Sequence, residues 1–275
     1  MTQLTAACLQ MCSSDVMEDN ILEACKLIEQ AADAGAQLIV TPEMTTLLDK
    51  TPGQQFAKSF SQENDPALPV FQQLAAKRAI TLVIGSLPIH ISDNKCANRC
   101  FVINPEGEII VSYDKIHLFD VALGEGNQFR ESKDYIAGKQ AVLISAAGTS
   151  LGLSICYDLR FPQLYQDLAI AGAQMLTVPA AFTRVTGEAH WHPLIRARAI
   201  ETGCFVLASA QGGKHTDGRE TYGHSMIVNP WGEILAELES EPGFITATLN
   251  LEEVTQARIH IPALSNKIDY QGPAT

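Results

Sequence analysis

The segment "AGAQLIVTPE" at residues 34–43 returns as "AGAQMLTVPA" at residues 171–180, a displacement of 137 residues. Two more pairs follow in the same order. "LVIGS" (82–86) resembles "FVLAS" (205–209), displaced by 123, and "NPEGEII" (104–110) resembles "NPWGEIL" (229–235), displaced by 125. A solenoid needs more copies at a shorter period. The sequence therefore predicts one structural unit that has been duplicated.

Each copy of the first repeat joins the end of a predicted helix to a strand. In the first copy we expect Asp19 and Asn20 to cap the helix and Gly35 to end it in the left-handed conformation, with the strand at 37–41. The second copy repeats this order, with a helix from Pro162 to Gly172 and a strand at 174–178.

The motif Asn-Pro-x-Gly predicts a hairpin turn in each half of the chain. The paired strands are expected at 100–104 and 108–113, and at 225–229 and 233–236. Helices and strands therefore alternate in both halves, and the predicted fold class is α/β. Two sheets packed face to face, with helices on both outer surfaces, would form a four-layer α-β-β-α sandwich with internal pseudo-duplication.

Length and composition limit the function classes. At 275 residues with 46% apolar residues, the chain suits a single globular domain spanning residues 1–275. Its net charge of −12 disfavours nucleic acid and anionic lipid as partners. There is no basic leader and no apolar run of membrane-spanning length, so we expect a cytoplasmic protein with no membrane partner.

The seven cysteines are an odd number and are scattered along the chain, so we expect reduced thiols. Two pairs, Cys8 with Cys12 and Cys96 with Cys100, have a spacing that a metal site could use. Neither has a second Cys or His pair nearby, whereas structural zinc sites have four ligands. We interpret them as small buried side chains and predict no metal.

Three residues with reactive side chains follow predicted strands, where ligand sites of α/β proteins lie. Glu43 is a possible general base, Cys156 a possible nucleophile, and Lys115 a cation for a developing oxyanion. Each has an ordinary alternative: a capping glutamate, an inert core cysteine and a solvated lysine. Spacing alone leaves the two interpretations evenly balanced.

The segments "TPEM", "YDKIHLFD" and "ICYDLRFPQL" around these residues resemble the three signature segments of the nitrilase, or carbon–nitrogen hydrolase, superfamily. The similarity continues through "PAAFTRVTGEAHWHPLIRARAIETGCFVLASAQGG" and "YGHSMIVNPWGE" and covers residues 4 to 270. It implies a sandwich fold that forms a homodimer or higher homo-oligomer, an amidase reaction through a cysteine thioester, and no cofactor.

The resemblance also implies roles for individual residues. Glu43, Lys115 and Cys156 match the catalytic triad of the family, and Glu131 matches its second glutamate. Glu131 would orient Lys115 and hydrogen-bond the leaving amine, and a salt bridge that only fixes the lysine is an equal alternative. The backbone N–H of Tyr157 would be a second donor to the oxyanion.

Within the superfamily, "TGEAHW", "RARAIE", "AQGGKH" and "YGHSM" are most similar to the branch that hydrolyses deaminated glutathione to 2-oxoglutarate and cysteinylglycine. An omega-amidase acting on 2-oxoglutaramate and a catalytically silent scaffolding subunit are the alternatives. Arg160 is the expected partner of the substrate carboxylate, with Phe182 against the acyl chain and Thr186 as a hydrogen-bonding group. An ion pair with Asp158 or a subunit contact is the alternative for Arg160.

The polar, glycine-containing stretch at 211–224 is predicted to be a mobile loop near the site. Lys214, His215 and Arg219 would meet the carboxylate of a cysteinylglycine tail, or would simply be solvated.

Overall fold

Two six-stranded sheets form the centre of the computed structural model, which describes residues 3–49, 53–92, 94–122 and 128–273. The strands are β1 (Gln3–Gln10), β2 (Leu38–Val40), β3 (Thr81–Ser92), β4 (Lys95–Ile103), β5 (Ile109–Asp114), β6 (Asp120–Ala122), β7 (Gln128–Arg130), β8 (Leu143–Ala146), β9 (Thr149–Leu153), β10 (Met175–Thr177), β11 (Phe205–Ala208), β12 (Gly212–Lys214), β13 (Glu220–Tyr222), β14 (Met226–Val228), β15 (Ile234–Glu237) and β16 (Gly243–Asn250). The α-helices are α1 (Met17–Asp33), α2 (Gln54–Ala57), α3 (Ala67–Arg78), α4 (Pro162–Ile170), α5 (Arg184–Thr202) and α6 (Glu252–His260), and short 3₁₀ turns span Gln62–Asn64, Glu131–Lys133 and Cys156–Arg160.

The predicted duplication is visible in the strand orders. One sheet runs β16-β1-β2-β3-β4-β5 and the other runs β8-β9-β10-β11-β14-β15. In both, one antiparallel pair is followed by two parallel pairs and then by two antiparallel pairs. The α/β class and both predicted hairpins, β4–β5 and β14–β15, are therefore confirmed.

The sequence match between "LVIGS" in β3 and "FVLAS" in β11 is one residue away from the structural equivalence of the two strands. Thr81 pairs with Leu38, whereas Phe205 pairs with Met175, so the structural displacement of this strand is 124 residues and not 123. A slip of one residue moves every side chain to the other face of a strand. The match between "LVIGS" and "FVLAS" did not reveal the slip because these strands are apolar on both faces, as parallel strands usually are.

Alternate residues of the first sheet enter two different core clusters. Ala6 and Cys8 of β1 pack in a cluster with side chains of the second sheet, whereas Ala7 and Leu9 pack with α1 and α3. Because successive strand side chains point to opposite faces, the first sheet lies between the second sheet and these two helices. On the second sheet, α4 contacts β9 and α5 contacts β11.

The predicted start of the first helix is wrong by about one turn. The helix begins at Met17 with Val16 at the N-cap and no side-chain cap. Asn20 is buried in its second turn, where its side chain accepts from the N–H of Ser14 and donates to the carbonyl of Thr46, both at 2.8 Å. Asparagine serves both as an N-cap and as a hydrogen-bonding link between a helix and neighbouring segments. The residue type alone therefore does not distinguish these two roles.

Both helix ends predicted at glycine are confirmed, since Gly35 has φ +89° and Gly172 has φ +107°. All seven cysteines, each within the described residues, are free. Cys8, Cys96 and Cys100 are buried and Cys12 is partly exposed. Burial raises the pKa of the Cys8 thiol to about 12, as its interpretation as an inert core residue requires. Among the described residues, no helix has the length and apolarity needed to cross a membrane.

Gly85 lies at a close contact between the two halves of the chain. A Cβ atom there would lie 2.1 Å from the Thr41 carbonyl oxygen and 2.5 Å from the Pro179 Cβ. The Gly85 N–H donates to the Thr41 hydroxyl at 2.9 Å. Because Gly85 has no side chain, the segments after β2 and β10 can lie against it. Both segments lead into the site.

Candidate active site

A cavity of about 340 Å³ lies beyond the ends of β2 and β10. The residues predicted to form the site all line it: Glu43, Lys115, Glu131, Cys156, Tyr157, Arg160, Phe182 and Thr186. Among the described residues, the charged lining consists of four cations and four carboxylates: Lys115, Arg130, Arg160, Arg219, Glu43, Asp49, Glu131 and Asp134. The structure therefore brings all eight residues predicted from the sequence to the lining of one cavity.

Cys156 occupies a left-handed backbone conformation, with φ +49°, at the start of the 3₁₀ turn that follows β9. Its N–H donates to the Pro179 carbonyl at 2.8 Å, which ties the turn to the segment after β10. The thiol is buried, and the charge of the nearby Glu43 carboxylate acts on it. A left-handed conformation is costly for a residue with a side chain, so the surrounding contacts hold Cys156 in it.

Asp158 ties the turn that contains Cys156 to neighbouring segments. This fully buried carboxylate accepts from the Ile155 N–H at 2.9 Å and the Tyr113 hydroxyl at 2.7 Å. It also bonds the N–H and Nδ1 of His117, at 2.9 and 2.7 Å. The alternative ion pair between Asp158 and Arg160 is therefore wrong, because the carboxylate is occupied by the groups that hold the turn.

Lys115 is 2% exposed and lies between two carboxylates. Its Nζ is 2.9 Å from Glu43 Oε1 and 2.8 Å from Glu131 Oε2. Asn98 donates to both carboxylates as well, at 2.9 and 3.1 Å. The site is thus a buried network of three ionisable groups and one amide, with the Cys156 thiol close to Glu43.

The charges set the protonation states of this network. Burial raises the pKa of Cys156 well above its usual value, and the negative charge of Glu43 raises it further while Lys115 opposes the rise. Burial alone would raise the pKa of Glu43, but the charge of Lys115 reverses this and lowers it. Burial alone would lower the pKa of Lys115, but the charges of Glu131 and Glu43 reverse this and raise it. At neutral pH the site therefore holds a protonated thiol beside an ionised carboxylate and an ammonium ion.

Two contributors were not found by sequence reasoning. Asn98 is buried in the middle of β4, in the segment "KCANRCFVI", where an uncharged polar residue between small apolar ones was an available signal. The Phe119 N–H donates to Glu131 Oε2 at 2.6 Å, and no sequence pattern identifies a backbone donor of this kind. Both fix the carboxylates that hold Lys115.

Arg160 lies at the rim of the site, half-buried. Its guanidinium carbon is 5.3 Å from the Phe182 ring centre and 5.9 Å from that of Tyr157, and its Nη1 is 3.2 Å from His190 Nδ1. The hydroxyl of Thr186 bonds that of Thr183, the N-cap of α5, at 2.8 Å. Arg160 thus presents a planar cation to the cavity beside two aromatic rings.

The expected mobile loop at 211–224 is a short antiparallel hairpin, β12–β13. Its three predicted cations are in different places. Arg219 lines the cavity; its buried Nε makes no hydrogen bond to the residues that the structure describes and lies 3.8 Å from Asp217 Oδ2. Lys214 is exposed and outside the cavity lining. His215 is buried and bonds the Ser13 carbonyl and the Thr221 hydroxyl, so its role is structural.

Comparison with known proteins agrees with this geometry. Residues 5–259 match the family model of carbon-nitrogen hydrolases. The chain is 40% identical over 268 residues to the deaminated glutathione amidase of Synechocystis sp. (strain PCC 6803 / GT-S), covering 96% of this chain and 97% of the relative.

Solved structures give the same result. The NitFhit protein of C. elegans matches with a TM-score of 0.89 and 33% identity, over 97% of this chain and 65% of that chain, so this chain spans about two thirds of NitFhit. A glutamate-to-glutamine mutant of the amidase from Nesterenkonia sp. AN1 matches with a TM-score of 0.78 and 28% identity, over 94% of this chain and 95% of that chain. That amidase carries the acetamide moiety of fluoroacetamide on its active-site cysteine.

The thiol environment predicts a pH shift. Because the charge of Glu43 raises the pKa of Cys156, Glu43→Gln should move the pH profile of Cys156 alkylation by iodoacetamide to lower pH. Glu131→Gln, which leaves Lys115 beside Glu43, should move it little. Mass spectrometry of the Cys156 peptide measures the rates, with the partly exposed Cys25 as the reference thiol. A profile that moves to higher pH in Glu43→Gln would contradict the derived charge arrangement.

Proposed function

The chain belongs to the carbon-nitrogen hydrolase family, and on that premise we propose that it is an amidase, working as one domain, that hydrolyses deaminated glutathione to 2-oxoglutarate and cysteinylglycine. The observation that carries the proposal is the buried thiol of Cys156 close to the ionised Glu43 carboxylate, with Lys115 2.9 Å from Glu43, on the wall of a cavity that Arg160 also lines. The name of the relative from Synechocystis supports the choice of substrate.

In the proposed reaction, Glu43 accepts the proton of Cys156 as the sulfur attacks the amide carbonyl carbon. The resulting oxyanion is stabilised by the Lys115 ammonium and the Tyr157 N–H. The C–N bond then breaks, Glu43 returns the proton to the leaving amine, and a thioester remains on Cys156. Glu43 next takes a proton from water as the water oxygen attacks the thioester carbon. The C–S bond then breaks, the carboxylic acid is released, and Glu43 returns the proton to the Cys156 sulfur.

Glu131 serves in this scheme as a positioning residue. Both of its oxygens lie within 3.0 Å of Lys115 Nζ, and the Phe119 N–H fixes its orientation. A lysine held by two carboxylates stays charged and cannot swing away from the carbonyl oxygen that it must meet. The geometry favours this role over direct contact with the leaving amine.

We assign the α-keto carboxylate of the substrate to Arg160, because a guanidinium forms two parallel bonds with a carboxylate. Phe182 is buried beside it and would pack against the acyl chain, and Thr186 would add a hydrogen bond at the same wall. Arg219 is a second cation of the cavity and suits the glycine carboxylate of the leaving dipeptide. The omega-amidase substrate 2-oxoglutaramate has no such tail.

A panel of amides tests the reaction and the substrate together. Wild-type protein should release a 2-oxo acid from deaminated glutathione with a higher kcat/KM than from 2-oxoglutaramate. Cys156→Ala should reduce both activities by at least 10³-fold, as removal of a nucleophile does. Cys25→Ala, which removes a thiol of α1 outside the cavity, should retain them. Preference for 2-oxoglutaramate would indicate an omega-amidase, and no turnover of any amide would indicate a scaffolding subunit.

The two carboxylate partners predict different patterns of loss. Arg160→Lys should lower kcat/KM for both substrates, since an ammonium cannot form the planar two-bond contact. Arg219→Gln should lower the value for deaminated glutathione about ten- to a hundredfold relative to 2-oxoglutaramate, the effect of losing one charged hydrogen bond.

Lys214→Gln is the matched control, because Lys214 belongs to the same hairpin but lies outside the cavity lining. It should leave the substrate ratio unchanged. Steady-state kinetics of the three variants decide the assignment, and an unchanged ratio in Arg219→Gln would remove Arg219 from the leaving-group site.

We further propose that the protein is a cytoplasmic homodimer. Seven free thiols suit a reducing compartment. Large apolar side chains are exposed around the C-terminal end of α5, among them Ile200, Trp231 and Ile261, each more than half exposed. A patch of this kind marks an interaction surface. Light scattering should give twice the chain mass, and Trp231→Glu should lower it to one chain; a wild-type monomer would contradict the proposal.

A further inference from the structure

Three side chains that the proposed reaction does not use converge on one point of the second half. His192 comes from α5, His224 from the segment before β14, and Glu237 from β15. Glu237 Oε1 lies 2.7 Å from His192 Nε2 and 2.7 Å from His224 Nδ1. The three potential ligand atoms all lie within 4.8 Å of one another.

The cluster is open to solvent and separate from the cavity, whose lining includes none of the three residues. The side chains of His192, His224 and Glu237 are 30%, 26% and 27% exposed. An ion can therefore enter, and water can complete its coordination. The cluster is also held in place from behind, because the indole N–H of the buried Trp191 donates to the His224 carbonyl at 2.8 Å.

The hydrogen bonds of the cluster can be replaced by bonds to a metal ion without a change in the protonation state of either histidine or of Glu237. An ionised carboxylate only accepts, so both imidazoles now direct N–H groups at Glu237 Oε1. If each neutral ring moves its proton to the other nitrogen, two lone pairs and one carboxylate face the same point. His192 then directs its Nδ1 proton toward the Tyr222 hydroxyl, 3.5 Å away, as a partner of the kind that metal-bound histidines use.

We propose that His192, His224 and Glu237 form a binding site for a divalent transition-metal ion such as Zn²⁺. Two imidazoles and one carboxylate are ligands of this class of ion, whereas Mg²⁺ and Ca²⁺ take oxygen ligands. In a tetrahedral zinc site the ligand atoms lie roughly 3.3 Å apart. The two 2.7 Å contacts therefore need to open by less than 1 Å, which partly exposed side chains can do.

The position of the site indicates a stabilising role. A bound ion would connect α5 with the β14–β15 hairpin and with the segment that leaves β13. Tyr222 stacks on His224 with ring centres 4.2 Å apart, and its N–H donates to the Phe182 carbonyl. Trp191, next to His192, packs 4.9 Å from the Phe182 ring. The ion would thus stabilise the elements that pack against Phe182, which lines the cavity. It takes no part in the proposed hydrolysis.

Metal binding to the full chain tests the site directly. The protein should carry no histidine tag and should contain Cys156→Ala, so that the reactive thiol does not bind the ion. Calorimetry with Zn²⁺ should give one ion per chain, and Co²⁺ should give visible absorption bands typical of tetrahedral coordination. Excess Zn²⁺ should also raise Tm, because an ion that binds only the folded state stabilises it.

Variants separate this site from adventitious binding. His192→Gln and His224→Gln should each weaken Zn²⁺ binding at least tenfold and remove the rise in Tm, while His260→Gln, on the exposed face of α6, should change neither. Glu237→Gln, on a surface strand, should have the same effect on Zn²⁺ binding and Tm, and it tests the site if a histidine variant fails to fold. No binding in the starting protein, or equal binding in these variants, would overturn the proposal and leave the cluster as a hydrogen-bonded triad.

Discussion

Burial of the Lys115 ammonium is the constraint on which the site depends. A charge that is 2% exposed is stable only with close counter-charges, and the protein supplies two carboxylates at 2.9 and 2.8 Å. Glu43 follows β2 and Glu131 begins a 3₁₀ turn after β7, so segments far apart in sequence must meet at one ammonium. Removal of one partner from a buried pair costs about 3–5 kcal/mol, which makes this network as important for folding as for chemistry.

Much of this arrangement could be predicted from the sequence because strand ends and repeats follow general rules. The repeat of the "AGAQ" segments predicted a duplicated unit, and the two sheets have matching strand orders. The rule that ligands lie beyond strand ends pointed to Glu43, Lys115 and Cys156, which line one cavity. The register of β3 against β11 could not be read in the same way, since residues that are apolar on both faces carry no alternation.

Features that depend on distant contacts were beyond sequence reasoning. Lys214 and Arg219 are both polar residues of one short segment, and only the hairpin places one in the cavity and the other in solvent. Asn20 has the type of a helix cap but bonds two segments outside its helix. His192, His224 and Glu237 are separated by 32 and 13 residues, a spacing that matches no metal motif, so only the fold reveals the cluster.

The close approach at Gly85 makes the two halves unequal in what they tolerate. In the corrected register its counterpart is Ser209, a buried residue whose hydroxyl donates across to the Val40 carbonyl at 2.8 Å. At position 85 any side chain would collide with Thr41 and Pro179. A symmetrised chain built from two copies of the second half would therefore place a side chain where none fits, so the two halves cannot be exchanged freely as modules in design.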